Sequence, residues 1–307
     1  LIYILLNDEK QGAWQLDYEK LYVREFEKLG NPLQQIKLKD VASLRERDFL
    51  WVMHYKDLIE VTKRRTQAKV ISQINGTGRN PFTAKFPVNF DLAAERALYH
   101  NSIDIALIHH EKQLEAYKDF DCQKIVTGFP IEVADEYRNV KKIKKKIVIS
   151  AKLSPEKMPY LNMHLMERFA REEYDIVFCI PNTESQKKWY HHYGIGNFRS
   201  FGYTFKFCNK EEFWQELSTA EFFFISTLGD TFSSALGEAY QCRCYCVVPK
   251  IPYPLPAYDE LINIHYPLWD VEAISDILML KPEYQFHSTY FNPTDCAIRL
   301  NRALNSI

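Results

Sequence analysis

Short apolar runs recur along this chain, and between them apolar residues fall at helical spacing. Wholly apolar runs of this length, bounded by small polar residues, read as buried parallel strands. In the first half they predict strands over Leu1–Leu6, Phe49–His54, Lys69–Ile74, Ile103–Ile108 and Lys124–Glu132. In the second half strands are expected over Ile147–Ser150, Tyr174–Ile180, Asn197–Gly202, Phe222–Ser226, Tyr245–Val248 and Asn263–Tyr266, with Phe222–Ile225 wholly apolar. Helices are expected over Leu16–Leu29, Phe90–Tyr99, Lys187–Tyr193, Lys210–Leu217, Phe232–Tyr240 and Thr294–Leu304. Strands alternating with helices imply an α/β architecture with parallel sheets.

At 307 residues the chain exceeds the usual single core, so two domains are expected. The charged, lysine-rich stretch 135–146 reads as an exposed connector. It separates a first domain over 1–134 from a second over 147–292, and 293–307 forms a final helix. The chain opens inside a strand at Leu1 without a Met, which points to residues missing before it.

The stretch Phe222–Pro249 is a βαβ unit, and ligands of such units bind beyond the carboxyl ends of the strands, near helix N-termini. Asp230 and Thr231 are N-cap candidates. Asp230 and Glu238 fall eight positions apart, a rise of roughly 10 Å on a helix. That spans the length of a nucleotide sugar, with one carboxylate for sugar hydroxyls and one for a ribose diol. An acidic pair at a helix start is also ordinary capping with a solvated face.

Asp230-Thr231-Phe232-Ser233-Ser234-Ala235-Leu236-Gly237-Glu238-Ala239 resembles the acid, seven residues, Glu signature of retaining GT-B glycosyltransferases, the group 1 or glycogen-synthase-like class, with Asp where Glu is usual. Lys144 to Lys157 resembles that family's strand followed by Gly-Arg-Leu-x-x-x-Lys, with Ala151-Lys152 in place of Gly-Arg. The resemblance covers most of the chain. It implies two Rossmann-like domains facing across a cleft, Lys152 and Lys157 neutralising a donor diphosphate, Asp230 contacting the donor sugar, backbone from Thr231, Phe232, Ser233 and Ser234 holding sugar hydroxyls, and Glu238 on the ribose. Lysine suits phosphate as a point charge.

The same resemblance makes Asn7–Gly12 a donor loop in which close backbone approach rests on Gly12. Acceptor-side residues are His54 at a strand end, Asn75 where the family often has a His, Gly76 and Arg79 in the turn-rich loop that follows, and His109, the counterpart of a family Ser. It also implies that the final helix crosses back onto the first domain. Arg243 replaces a family Gly, which leaves the local turn open.

Composition narrows the picture further. The formal net charge is −1, so no global charge advertises nucleic acid, although Lys63–Arg65 and Lys141–Lys146 are basic clusters. Seven cysteines without paired spacing indicate free thiols, a reducing compartment and a cytoplasmic location. No metal is expected, since no Asp-x-Asp pattern lies in a suitable loop and adjacent His109 and His110 would face opposite ways in a strand. No apolar run reaches the length of a transmembrane span.

The sequence-level expectation is therefore a metal-independent, retaining hexosyl- or pentosyltransferase. It needs no cofactor, uses a nucleotide diphosphate sugar as donor, and acts on a glycan or small-molecule hydroxyl. Two alternatives stand beside it: a phage-type enzyme acting on a hydroxylated DNA base, and an inactive nucleotide-sugar-binding protein.

Overall fold

A computed structural model of the chain describes residues 1–5, 13–53, 55–73, 101–111, 114, 117–153, 157–225, 233–250, 264–267 and 291–307. The chain divides into two compact units, Leu1–Glu132 with Ser288–Ile307, and Val133–His287.

The first unit holds a six-stranded sheet built from β1 (Ile2–Leu5), β2 (Gln34–Ile36), β3 (Phe49–Val52), β4 (Lys69–Gln73), β5 (Ile105–Ile108) and β6 (Gln123–Val126). Its order is β2-β1-β3-β4-β5-β6 and every pairing is parallel. Helix α1 (Ala13–Lys28) and helix α2 (Tyr55–Arg64) connect these strands. Leu50, Val52, Val70, Ala106 and Ile108 are buried in one cluster with Leu58 and Val61 of α2. A parallel sheet covered by helices requires such continuous apolar strands.

The second unit is built from α3 (Asp135–Arg138), β7 (Ile143–Ser150), α4 (Pro159–Arg171), β8 (Asp175–Pro181), α5 (Glu184–His192), β9 (Thr204–Cys208), α6 (Lys210–Thr219), β10 (Ala220–Phe224), α7 (Ser234–Gln241), β11 (Tyr245–Lys250) and β12 (Ile264–Pro267). The sheet order is β12-β11-β10-β7-β8-β9, again wholly parallel. Its core joins Ile147, Ile149, Phe178, Ile180, Phe222 and Phe224 to Met163, Met166 and Phe169 of α4.

Helix α8 (Pro293–Asn305) belongs to the first unit, although it closes the chain. Asn292 caps it, the Thr294 hydroxyl donates to Glu25 Oε2 of α1 at 2.8 Å, and Arg299 Nε donates to the Thr127 carbonyl beyond β6 at 3.0 Å.

Three expectations are corrected here. Residues expected as a strand over Asn197–Gly202 form a 3-10 helix, Ile195–Phe201, closed at both ends by left-handed glycines, Gly194 and Gly202. Strand β9 lies just beyond it, where Thr204-Phe205-Lys206-Phe207-Cys208 alternates polar and apolar as a strand at a sheet edge does. Strand β7 starts at Ile143 inside the stretch expected as connector, because Lys142, Lys145 and Lys146 have partners within the unit. Lys142 Nζ donates to the carbonyls of Leu217 and Ser218 at 3.0 Å, Lys145 Nζ donates to the Glu172 carbonyl at 2.9 Å, and Lys146 pairs with Glu216 at 2.7 Å. Strand β11 extends to Lys250, past the Val248 end expected for it.

Candidate functional site

In a doubly wound sheet the ligand crevice opens at the switch point, where successive connections leave in opposite directions. In the second unit the chain runs outward from β7 through β8 to β9, then returns to β10 beside β7. The switch point therefore lies between the carboxyl ends of β7 and β10, and the segments leaving these two strands carry the described donor-side residues.

Beyond β7, Lys152 is exposed and Lys157 is half-buried just before α4. Two buried side-chain amides hold Leu153 and Lys157. Gln186 of α5 accepts from the Leu153 N–H at 2.6 Å, and Asn162 of α4 donates to the Lys157 carbonyl at 2.9 Å. Met158 starts α4 in a left-handed conformation, φ 44°, with Pro159 in the first turn. A non-glycine residue at positive φ costs on the order of 1 kcal/mol, so packing holds this entrance in a shape the local sequence disfavours.

Beyond β10, Ser233 caps α7, its hydroxyl accepting from the Leu236 N–H at 3.3 Å. The expected helix start at Phe232 is therefore moved to Ser234, and the cap is Ser233 rather than Asp230 or Thr231. Among the described residues the helix carries Glu238 from Ser234 onward. Glu238 lies one turn into α7 with its side chain 10% exposed, and its Oε1 is 3.8 Å from Nζ of Lys210, the first residue of α6. Lys210 Nζ also sits 4.9 Å from the centre of the Trp214 ring.

Asp230, Thr231, Phe232, Gly12, His54, Asn75, Gly76 and Arg79 lie outside the described residues. In sequence Gly12 follows β1 and His54 follows β3, the two strands flanking the switch point of the first sheet.

His109 leaves the end of β5 and is buried. Its two ring nitrogens are 3.2 and 3.3 Å from Gln73 Nε2, and its Nδ1 is 3.5 Å from the Gly128 carbonyl. Gln73 Nε2 also donates to the Leu107 carbonyl at 2.9 Å, and the Tyr18 hydroxyl donates to Gln73 Oε1. The Phe129 ring stands edge-on to the imidazole at 4.9 Å. Burial pushes the His109 pKa down to about 4, and the Gly128 carbonyl opposes this only partly, so the ring is neutral near pH 7.

The residues bracing these sites escaped the sequence reading. Asn162 was detectable as a polar residue on the apolar face that α4 shows through Pro159, Met163, Met166 and Phe169. Lys210 and Gln73 offer no local signal, since their partners stand far away in sequence. Among the described residues no group of three His, Cys, Asp or Glu is arranged to hold a metal ion. Among the same residues no helix is long and apolar enough to cross a membrane.

No protein-family model matches the chain, and a search of curated proteins finds no match. Solved structures do resemble it. Anabaena HepE in complex with UDP superposes with a TM-score of 0.68 at 12% identity, over 100% of both chains. The UDP-forming trehalose-phosphate synthase of Burkholderia xenovorans, in complex with glucose-6-phosphate, gives 0.60 at 13% identity over 95% of this chain and 78% of that one. The pneumococcal O-GlcNAc transferase GtfA, in complex with UDP and GlcNAc, gives 0.59 at 10% identity over 88% and 58%. The two parallel sheets with their flanking helices are the architecture of these structures, and the chain has the GT-B fold of two Rossmann-like domains.

Proposed function

We propose that this chain is a glycosyltransferase that moves a sugar from a nucleotide diphosphate sugar to a hydroxyl acceptor with retention at the anomeric carbon. The observation that carries this reading is the content of the second unit's switch point. Two cations follow β7, with Leu153 and Lys157 held by buried amides, and a carboxylate follows the neighbouring β10 on α7.

Cleavage of the sugar–phosphate bond leaves oxocarbenium character on the sugar and negative charge on the departing diphosphate. Lys152 and Lys157 stabilise that charge as fixed cations, whose benefit is greatest where charge develops. Glu238 accepts from the ribose diol, and Lys210 holds its carboxylate. Asp230 contacts the donor sugar, backbone from Thr231 to Ser234 holds its hydroxyls, and Gly12 allows close backbone approach to the donor. No metal takes part in this scheme. The acceptor hydroxyl passes its proton to the leaving phosphate, and His54, Asn75, Gly76 and Arg79 belong to the acceptor side. His109, enclosed and neutral, shapes that side by fixing the ends of β5 and β6 rather than by exchanging protons.

Uridine is the proposed nucleotide, because HepE and GtfA were solved with UDP and the Burkholderia xenovorans enzyme is described as UDP-forming. A glycan or small-molecule acceptor suits the chain better than DNA. Lys142 and Lys146 of the main basic cluster are engaged inside the unit, and Lys63 pairs with Glu60 at 2.7 Å.

Thermal unfolding with UDP, GDP and ADP and their sugar conjugates tests the reading. A bound donor adds about 2.7 kcal/mol at a hundredfold excess over its dissociation constant. Stabilisation by UDP-sugars above the others is expected, with the α-configuration of an α-linked donor retained in product by NMR. No stabilisation by any nucleoside diphosphate would overturn the assignment.

A further inference from the structure

Helix α5 and the 3-10 helix after it carry a surface that the donor site does not use. From Ser185 to Lys210 the sequence contains no Asp or Glu, yet it holds Lys187, Lys188, Arg199, Lys206 and Lys210 among a run of aromatic residues. Lys187, Lys206 and Lys210 each have a carboxylate partner: Glu184, Glu216 and Glu238. Lys188 and Arg199 are exposed and make no ion pair among the described residues.

The aromatic rings beside them form one connected patch. Trp189 stacks on Tyr193 at 5.1 Å and 16°, Tyr160 meets Tyr193 at 5.6 Å and Phe198 at 6.0 Å, and Phe198, Phe201 and Tyr203 stack in sequence at 5.9 and 6.1 Å. The Tyr160 hydroxyl donates to the Tyr193 carbonyl at 2.8 Å, tying α4 to the end of α5. Tyr160 is 47% exposed and Phe201 45%, so the patch reaches solvent although its members pack on one another.

We infer that this patch docks the protein on an anionic lipid surface. Exposed aromatic side chains such as Tyr160 and Phe201 favour the membrane interface, and the nearby cations without an ion-pair partner, Lys188 and Arg199, add attraction to anionic lipids, about 1 kcal/mol for each Lys or Arg close to the surface. Stacking bases or sugars would need free ring faces. Here Phe201 lies between Phe198 and Tyr203, and Trp189 and Tyr193 cover each other. Rings whose faces are spent on one another leave edges, an apolar rim suited to lipid and poorly suited to a base.

Sedimentation with vesicles of phosphatidylcholine alone, and of phosphatidylcholine with phosphatidylglycerol, tests this. The chain should sediment with the anionic vesicles at low salt, stay in solution with the neutral ones, and be released by added salt. The pair Lys188→Glu and Arg199→Glu should weaken partitioning by roughly tenfold or more, since two attractions become repulsions. Phe201→Ser with Tyr160→Ser should weaken it without removing the salt dependence. An unchanged melting temperature and unchanged UDP affinity identify the loss as one of docking; if the aromatic pair fails to fold, the exposed charge pair still decides the matter. The inference is overturned by absence of binding to anionic vesicles at low salt, by equal binding of the charge-reversed protein, or by a single-stranded oligonucleotide binding through these residues while vesicles do not.

Discussion

The carboxyl ends of the two parallel sheets are built from opposite materials. In the first unit, Tyr18 of α1 joins Gln73, His109 and the Gly128 carbonyl, at the ends of β4, β5 and β6, in a buried, neutral hydrogen-bonded cluster. In the second unit, the segments leaving β7 and β10 carry charge, with Lys152 exposed, Lys157 half-buried, and Glu238 held near Lys210. The same topology thus serves two ends. A buried neutral network confers rigidity, because every polar group in it must keep its partner or lose the cost of burial. An exposed cation such as Lys152 adds little to stability, and cations at this place suit a phosphate.

If that contrast is right, substitutions should separate function from stability by unit. The largest effect is expected for Lys157→Ala, which should reduce sugar transfer by about 100-fold or more, the size seen when one charge-stabilising donor is removed, while the melting temperature holds. Steady-state rates and thermal unfolding measured together would check this, and full activity would remove the phosphate role.

Next in size is a pH effect confined to the first unit. His109 titrates near 6.5 when unfolded and near 4 when folded. Between those values the unfolded chain binds more protons, so stability is full above pH 6.5, falls as pH drops toward 4, and levels off below it. A shift of this size amounts to at most on the order of 3 kcal/mol. Denaturant unfolding at pH 7 and near pH 4 should show that loss in the wild type and a smaller one in His109→Gln. Equal acid sensitivity in both would place the cause elsewhere.

A third substitution tests the carboxylate. Glu238→Gln should weaken UDP binding by about 1.5–3 kcal/mol, the range for a hydrogen bond to a charged group. Titration calorimetry of Glu238→Gln, Lys210→Met and the double variant would show whether the two residues act as a unit. Unchanged UDP affinity with a lowered melting temperature would make Glu238 a strut between α6 and α7.

The smallest effect concerns backbone alone. Arg243 holds φ 60° in the turn between α7 and β11, a left-handed conformation that glycine adopts freely. Arg243→Gly should raise stability by up to about 1 kcal/mol, less whatever the arginine side chain contributes, and leave transfer unchanged. A fall in melting temperature would show that the side chain outweighs the strain.

Much of the second unit was legible along the chain. Phe222–Ile225 and Ile176–Ile180 are continuous apolar runs, and the strands expected around them, Phe222–Ser226 and Tyr174–Ile180, became β10 and β8 within two residues at either end. The error at Asn197–Gly202 is equally instructive. Its composition tolerates a strand, but Gly194 and Gly202 supply the two left-handed turns that close a 3-10 helix. The lysine run 141–146 reads locally as a solvated linker. Only the fold brings carbonyls from the end of α6 and the carboxylate of Glu216 to those ammonium groups.

By itself the sequence determined what local physics can encode: the alternation of strand and helix, the wholly parallel sheets, and the order in which Lys152, Lys157, Ser233 and Glu238 follow their strands. Periodicity and capping act over a few residues, so they can be read in a few residues. Tertiary structure alone decided that β10 returns beside β7 to make a switch point, that Asn162 and Gln186 hold Lys157 and Leu153, that Lys210 meets Glu238, and that Gln73 encloses His109. Those contacts join positions distant in sequence, and their energy comes from burial and charge shared across elements, which no local pattern records.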